Sequence, residues 1–173
     1  MSNKITNKQL QFYPIFKSMS QNDIEIFVTK IKQNKYTKDA TIIKEGDIGN
    51  SILFLIHGDI SITQALTLRT NKYENSDNRE KELIRINSEN ENFTFGELSL
   101  FSENKKRNAS VISNSECTIG ELSFTDIFQI CDKNNTIGYQ FMKNIGQLIT
   151  KQLKLSNENV LKLTTAISLI VND

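Results

Sequence analysis

The 173-residue chain has little with which to staple itself, ligate a metal or run nucleophilic catalysis. It carries two cysteines, one histidine, one proline and no tryptophan. Cys117 and Cys131 stand at no metal-ligand or redox spacing, so they read as reduced thiols packed as small hydrophobes. His57 sits alone in a strand-and-turn segment beside Gly58-Asp59. No Ser-His-Asp set, metal cluster or pair of catalytic acids assembles around it, and no enzymatic activity is expected. The net charge of +1 gives no overall pull on nucleic acid or anionic lipid. The N-terminus, MSNKITNKQL, lacks the apolar core of a secretory signal, and no apolar run approaches a membrane span. The expectation is a soluble, cytoplasmic protein with no cofactor, no metal and no membrane partner.

What is present divides into three textures. Residues 1–35 form a helical segment: in SQNDIEIFVTKI, Ser20 can cap a helix with Asp23 as acidic partner, and Ile24, Phe27, Val28 and Ile31 share one face. Residues 36–124 change period. TIIKEG, SILFLIHG, DISITQA, ELIRIN, ASVIS and CTIGEL are short β-branched segments punctuated by EGDIGN, HGD and SENKKRN. Many short strands at this spacing indicate an antiparallel jelly roll, sandwich or barrel. The polar stretch TNKYENSDNREK, Thr70 to Lys81, reads as a long exposed hairpin loop. Residues 125–173 return to the helical period, with a short helix and then a long one. Ile149, Leu153, Ser156, Val160, Leu163, Ile167 and Ile170 alternate at spacings of four and three, a heptad seam that is apolar except at Ser156. Such a helix outruns a small β domain, and a second copy of itself is the simplest partner. The alternative is a helix bent back at SNEN. The fold class is therefore α+β, a jelly roll between an N-terminal helix and a long C-terminal one.

One segment points to chemistry. In FGELSLFSENKKRNASV, Glu97 and Arg107 stand ten positions apart among small residues, Gly96, Ser99, Asn108, Ala109 and Ser110. Small residues let backbone N–H groups approach a ligand, and a short turn at Glu97-Leu98-Ser99 aims free N–H groups at an anion. Arg107 offers a planar fork matched to phosphate oxygens. An ionised Glu97 only accepts hydrogen bonds, so it suits a hydroxyl donor such as a ribose 2′-OH. Together they describe a nucleotide whose phosphate lies close to its ribose. The alternative is an ion pair across a turn, worth little if exposed.

The segment resembles the phosphate-binding cassette of the cyclic nucleotide-binding domain family: Phe95-Gly96-Glu97-Leu98-Ser99-Leu100, a variable loop, then Arg107-Asn108-Ala109-Ser110. YPIFKSMS resembles the family's entry segment, and IIKEGDIGNSILFLIHGDISI its first strands. The loop length and the helix Gln152 to Val160 resemble the catabolite activator, or cAMP receptor, branch. The resemblance implies that Glu97 takes the ribose 2′-OH and Arg107 the cyclic phosphate. Backbone N–H groups around Ser99–Leu100 and Asn108–Ala109, with the Asn108 and Ser110 side chains, would add to the phosphate site. Ser156 and Asn157 would meet the base. Three departures are visible. Asn108 stands where the family more often has Ala, Ser or Thr, Asp39-Ala40 replaces a glycine before the first strand, and no glycine precedes Gly96 in NSENENFTFGE.

The resemblance implies a cyclic nucleotide receptor, with cAMP ahead of cGMP as ligand and a homodimer through the C-terminal helix. In the transcription-factor branch a helix-turn-helix domain follows that helix. Here the sequence ends at Asp173, and KKR at Lys105 to Arg107 is too short to argue DNA contact. The expectation is a stand-alone receptor that contacts no DNA and signals through its long helix or through a separate effector protein. The alternative is a degenerate jelly-roll module for dimerisation or docking, with no mononucleotide ligand or with another effector such as a cyclic dinucleotide.

Overall fold

The computed structural model describes residues 5–65 and 80–171. The chain opens with α1 (Asn7–Leu10), a 3-10 turn at Pro14–Phe16 and α2 (Gln21–Val28). Ser20 caps α2 as its sequence suggests: the Ser20 hydroxyl accepts from the Asp23 N–H, and the Asp23 carboxylate accepts from the Ser20 N–H. Eight strands follow, β1 (Lys32–Tyr36), β2 (Thr41–Ile43), β3 (Ser51–His57), β4 (Asp59–Ala65), β5 (Glu80–Asn87), β6 (Thr94–Phe95), β7 (Ser110–Ser113) and β8 (Cys117–Ser123), with α3 (Leu98–Phe101) between β6 and β7. They pair in two antiparallel four-stranded sheets, β1-β8-β3-β6 and β2-β7-β4-β5, which form the expected jelly roll. The chain closes with α4 (Phe124–Lys133) and α5 (Asn135–Val171).

One boundary differs from the sequence expectation, one short strand was not anticipated, and the expected long helix is continuous, without the alternative bend. The sheet begins at Lys32 rather than residue 36, because KQNKY is a polar edge strand whose every residue pairs with β8 but shows no apolar alternation. The two-residue β6 is too short to carry a period at all. The long helix does not break at SNEN: α5 is continuous over 37 residues. Ser and Asn cost only a few tenths of a kcal/mol each within a helix, too little to stop it without Gly or Pro. The expected loop at Thr70–Lys81 lies outside the described residues, apart from Glu80 and Lys81, which open β5. Among the described residues, no helix is long and apolar enough to cross a membrane.

Two apolar cores share strand β3. Leu53 and Leu55 face the jelly-roll interior with Ile60, Phe95, Val111 and Ile119. Ile52 and Phe54 face the helices, where Phe16 stacks on Phe54 at 5.8 Å and Phe27 stacks on Phe141 of α5 at 4.8 Å. The replaced glycine leaves its mark at Asp39, which holds φ +64° in the left-handed region a glycine would adopt freely. Ser113 keeps that turn: its carbonyl accepts from the Asp39 N–H at 2.7 Å, and its hydroxyl accepts from the Ala40 N–H at 3.0 Å.

The start of α5 is tied to the N-terminal segment by Asn144, which is 2% exposed. Its Nδ2 donates to the carbonyls of Ile15 at 3.0 Å and Lys17 at 2.8 Å, while its Oδ1 accepts from Gln140. Truncation strands the buried Ile15 carbonyl and removes one of two donors to Lys17 O, which keeps Gln140. Asn144→Ala is expected to cost about 1–3 kcal/mol in urea unfolding. A loss below about 1 kcal/mol would put the anchorage of α5 in its aromatic contacts instead.

Candidate functional site

Arg107 is placed by backbone before its side chain is considered. The turn between β2 and β3 grips its segment: Gly46 N–H donates to Arg107 O at 2.9 Å, Arg107 N–H to Asp47 O at 2.8 Å, and Gly49 N–H to Lys105 O at 2.7 Å. On the other flank, the Ser99 hydroxyl donates to Lys106 O at 3.1 Å. The EGDIGN turn is thus one wall of the cassette as well as a connection between strands.

The guanidinium then threads between two glycines. A Cβ at Gly49 would lie 2.5 Å from Arg107 Nε, and one at Gly96 would collide with Nη1. Gly96 also holds φ +82°. Nη1 donates to Gly96 O at 2.9 Å, and Nη2 to Ser51 O at 3.0 Å and Ser51 Oγ at 3.3 Å. The side chain is 8% exposed and still holds donors beyond these bonds, since a guanidinium has five. Burial pulls its pKa below arginine's ordinary value, and the carboxylates of Glu121 and then Glu97 push it back up.

Glu97 opens α3 and is 3% exposed. Among the described residues it makes no ion pair with Arg107, and its side-chain partner is Gln152 of α5, whose Nε2 donates to Glu97 Oε1 at 2.9 Å. The ion-pair alternative is therefore not the arrangement found. Burial raises the carboxyl's pKa above the ordinary glutamate value, while the Gln152 hydrogen bond, its own backbone N–H and the Arg107 charge draw it back.

These groups surround a cavity of about 190 Å³. Gly96, Glu97, Leu98, Ser99, Arg107, Asn108 and Ala109, all singled out from the sequence, line it. Ile62, Phe93 and Val111 supply apolar wall. Ser110, Ser156 and Asn157 do not reach it. The Ser110 hydroxyl is buried and accepts from the Glu45 N–H at 3.0 Å, so it serves the neighbouring turn. Ser156 and Asn157 are exposed on α5, roughly 6 Å and more along the axis beyond Gln152. Sequence reasoning missed Gln152, Thr94 and Ser51. Gln152 lies one turn before Ser156, yet its partner is 55 positions away and no local pattern announces the contact. Thr94 lines the cavity and its hydroxyl is buried without a partner. Among the described residues, no three His, Cys, Asp or Glu side chains are placed to hold a metal ion.

Comparison with known proteins identifies the family and the fold. A family model described as "Cyclic nucleotide-binding domain" matches residues 33–134, more than half of the chain. The cAMP-activated global transcriptional regulator CRP of Salmonella typhimurium is 22% identical over 144 residues, 83% of this chain and 61% of the relative. The CRP of Haemophilus influenzae is 27% identical over 139 residues, 79% of this chain and 57% of the relative. The chain thus spans about three fifths of the length of these curated relatives. A crystal structure of a cyclic nucleotide-binding domain from Methylobacillus flagellatus superposes with a TM-score of 0.73 at 16% identity, covering 90% of this chain and 84% of that one, a likeness of fold.

A buried carboxylate without a countercharge costs stability. Glu97→Gln is expected to raise the urea midpoint of the ligand-free protein at pH 7, since the amide still accepts from Gln152 and has no charge to desolvate. With its folded pKa above the unfolded one, Glu97 lowers stability as pH rises through that interval. The gap between variant and wild type therefore closes as pH falls below the ordinary glutamate value. A midpoint that drops at pH 7 would show that the charge is held by contacts stronger than those seen.

Proposed function

The chain belongs to the cyclic nucleotide-binding domain family, and from that premise we propose that it is a cyclic nucleotide receptor, with cAMP ahead of cGMP, whose occupancy is read by α5. The observation that carries the reading is the pairing of a buried, uncompensated Glu97 with a buried Arg107 held apart from it around one cavity. Folding alone gains nothing from that arrangement. A ligand with a hydroxyl donor beside an anionic phosphate satisfies both groups at once.

In this reading the ribose 2′-OH donates to Glu97, and the cyclic phosphate takes the remaining donors of Arg107. The N–H groups of the first turn of α3 and of Asn108 and Ala109 complete the phosphate site. Asn108 is exposed at its rim, where its amide adds donors without filling the cavity. At about 190 Å³ the cavity is below the usual 300–1,000 Å³ of ligand clefts, which favours one nucleotide over two and requires the walls to yield on entry. Gln152 is the wall that can yield, because it belongs to a helix rather than to the sheets. A ligand on Glu97 is therefore coupled to α5 through a single hydrogen bond. Beyond Gln152, Leu153, Val160, Leu163, Ile167 and Ile170 are exposed in the single chain, the face a second copy would cover. Ser156 and Asn157 would meet a base only with α5 reseated or a partner helix in place.

The ligand is named by thermal unfolding with cAMP, cGMP, cyclic di-AMP and cyclic di-GMP in parallel. At a hundredfold excess over Kd one site adds about 2.7 kcal/mol, or roughly 5–10 °C for a chain of this size. Arg107→Ala is expected to abolish the shift. No shift with any of the four in a folded, ligand-free sample would sink the receptor reading in favour of a docking module. Gln152→Ala tests the coupling: it should retain nucleotide binding and lose the nucleotide-dependent change in amide hydrogen exchange along α5. An exchange response equal to wild type would remove Gln152 from the path.

A further inference from the structure

Arg107 also lines a second cavity, about 160 Å³, which Glu97 does not reach. Its other charged groups are Lys44, Asp47 and Glu121. Glu121 lies on β8 directly across from Leu53 of β3, and Ser51 is the next residue on the same face of β3. Ser51 is the residue on which Arg107 Nη2 rests, at 3.0 Å from its carbonyl and 3.3 Å from its hydroxyl. Ser51 and Glu121 are thus diagonal cross-strand neighbours, a spacing that long side chains bridge. The Glu121 carboxylate is fixed from behind by Asn34 of β1, whose Nδ2 donates to Oε2 at 3.0 Å. Lys44 and Asp47 carry opposite charges, and Lys32 of β1 pairs across from Glu121 on the side away from β3.

We propose that Glu121 is a positioning residue, the resting counter-charge that holds the Arg107 guanidinium on Ser51 and competes with an incoming phosphate for it. This rests on the receptor reading above. Arg107 faces two carboxylates, Glu97 and Glu121, and touches neither within ion-pair distance. Of the two, Glu121 offers the stronger stabilisation of the buried cation. A phosphate bound at Arg107 feels the same Glu121 charge as a repulsion, and the low dielectric of a buried site strengthens both effects. Glu121 therefore keeps Arg107 seated when the site is empty and lowers affinity when it fills.

The test is Glu121→Gln, which keeps the shape and can still accept from Asn34. Calorimetric titration of the full chain with cAMP and cGMP is expected to show binding tightened about three- to tenfold in the variant. Glu121→Asp, which keeps the charge, should show no such gain. A residue with a merely structural role would give weaker or unchanged binding in Glu121→Gln, and either result overturns the proposal. A second readout needs no ligand: hydrogen exchange of the Arg107 Nε–H, followed by ¹⁵N NMR, should be faster in Glu121→Gln than in wild type. If wild type binds neither nucleotide, the receptor reading fails by itself and the Nε–H exchange still decides the counter-charge. Equal exchange in the two proteins overturns it.

Discussion

Burying one guanidinium sets the terms for the rest of this molecule. Arg107 is closed in between Gly49 and Gly96, and its donors rest on the carbonyls of Gly96 and Ser51. Those partners come from two distant parts of the chain, the junction of the β2–β3 turn with β3 and the end of β6. Gly96 follows β6, Ser51 starts β3, and Gly49 ends the turn that clamps the Arg107 backbone. The two sheets meet at this side chain, so the site is not decoration on a finished jelly roll. A Cβ at either glycine would have to displace a buried charge from its hydrogen-bond partners.

The same constraint explains why Glu97 and Arg107 do not simply pair. An ion pair would satisfy both and leave nothing for a ligand. Here Arg107 is satisfied by backbone carbonyls and Glu97 by a neutral amide, Gln152. Neutral partners desolvate a charge without cancelling it. The result is a cavity with one unspent negative group and one unspent positive group, at a cost in stability that the two apolar cores absorb.

Much of this was legible in the sequence, and the parts that were not share a cause. SILFLIHG reads as one of the short strands, and its two faces prove to separate two cores. The Ser20–Asp23 capping box and the unbroken heptad pattern of α5 also read directly, because each is local. Within the cassette, Gly96 to Ser99 and Arg107 to Ala109, singled out by residue type and by family resemblance, line the cavity. KQNKY and the two-residue β6 were invisible because pairing, not periodicity, makes them strands. Gln152 and Ser51 were invisible because each meets the site across more than fifty positions. Ser110 was misleading: its hydroxyl is the right type in the right place, but the turn beside it takes it first.

The long helix is where these local facts acquire a consequence. Its first half is held firmly, by Phe141 in the aromatic stack and by Asn144 on two carbonyls. Its second half carries leucines, valine and isoleucines that are exposed among the described residues. Gln152 stands between the two halves, and its bond to Glu97 is the last tie before the free portion. A hydrogen bond to a charged group contributes about 1.5–3 kcal/mol, so a ligand acting through it can shift a helix equilibrium by roughly ten- to a hundredfold and no more. For such a lever to work, the two seats of the distal helix must lie within that energy of each other. A distal half buried against its own domain would fall outside that range, whereas one whose apolar side chains are exposed among the described residues can fall within it. Under the proposed receptor reading, the exposed seam and the Gln152–Glu97 bond would serve one purpose: a helix this lightly held could be moved by the small free energy the site has to give.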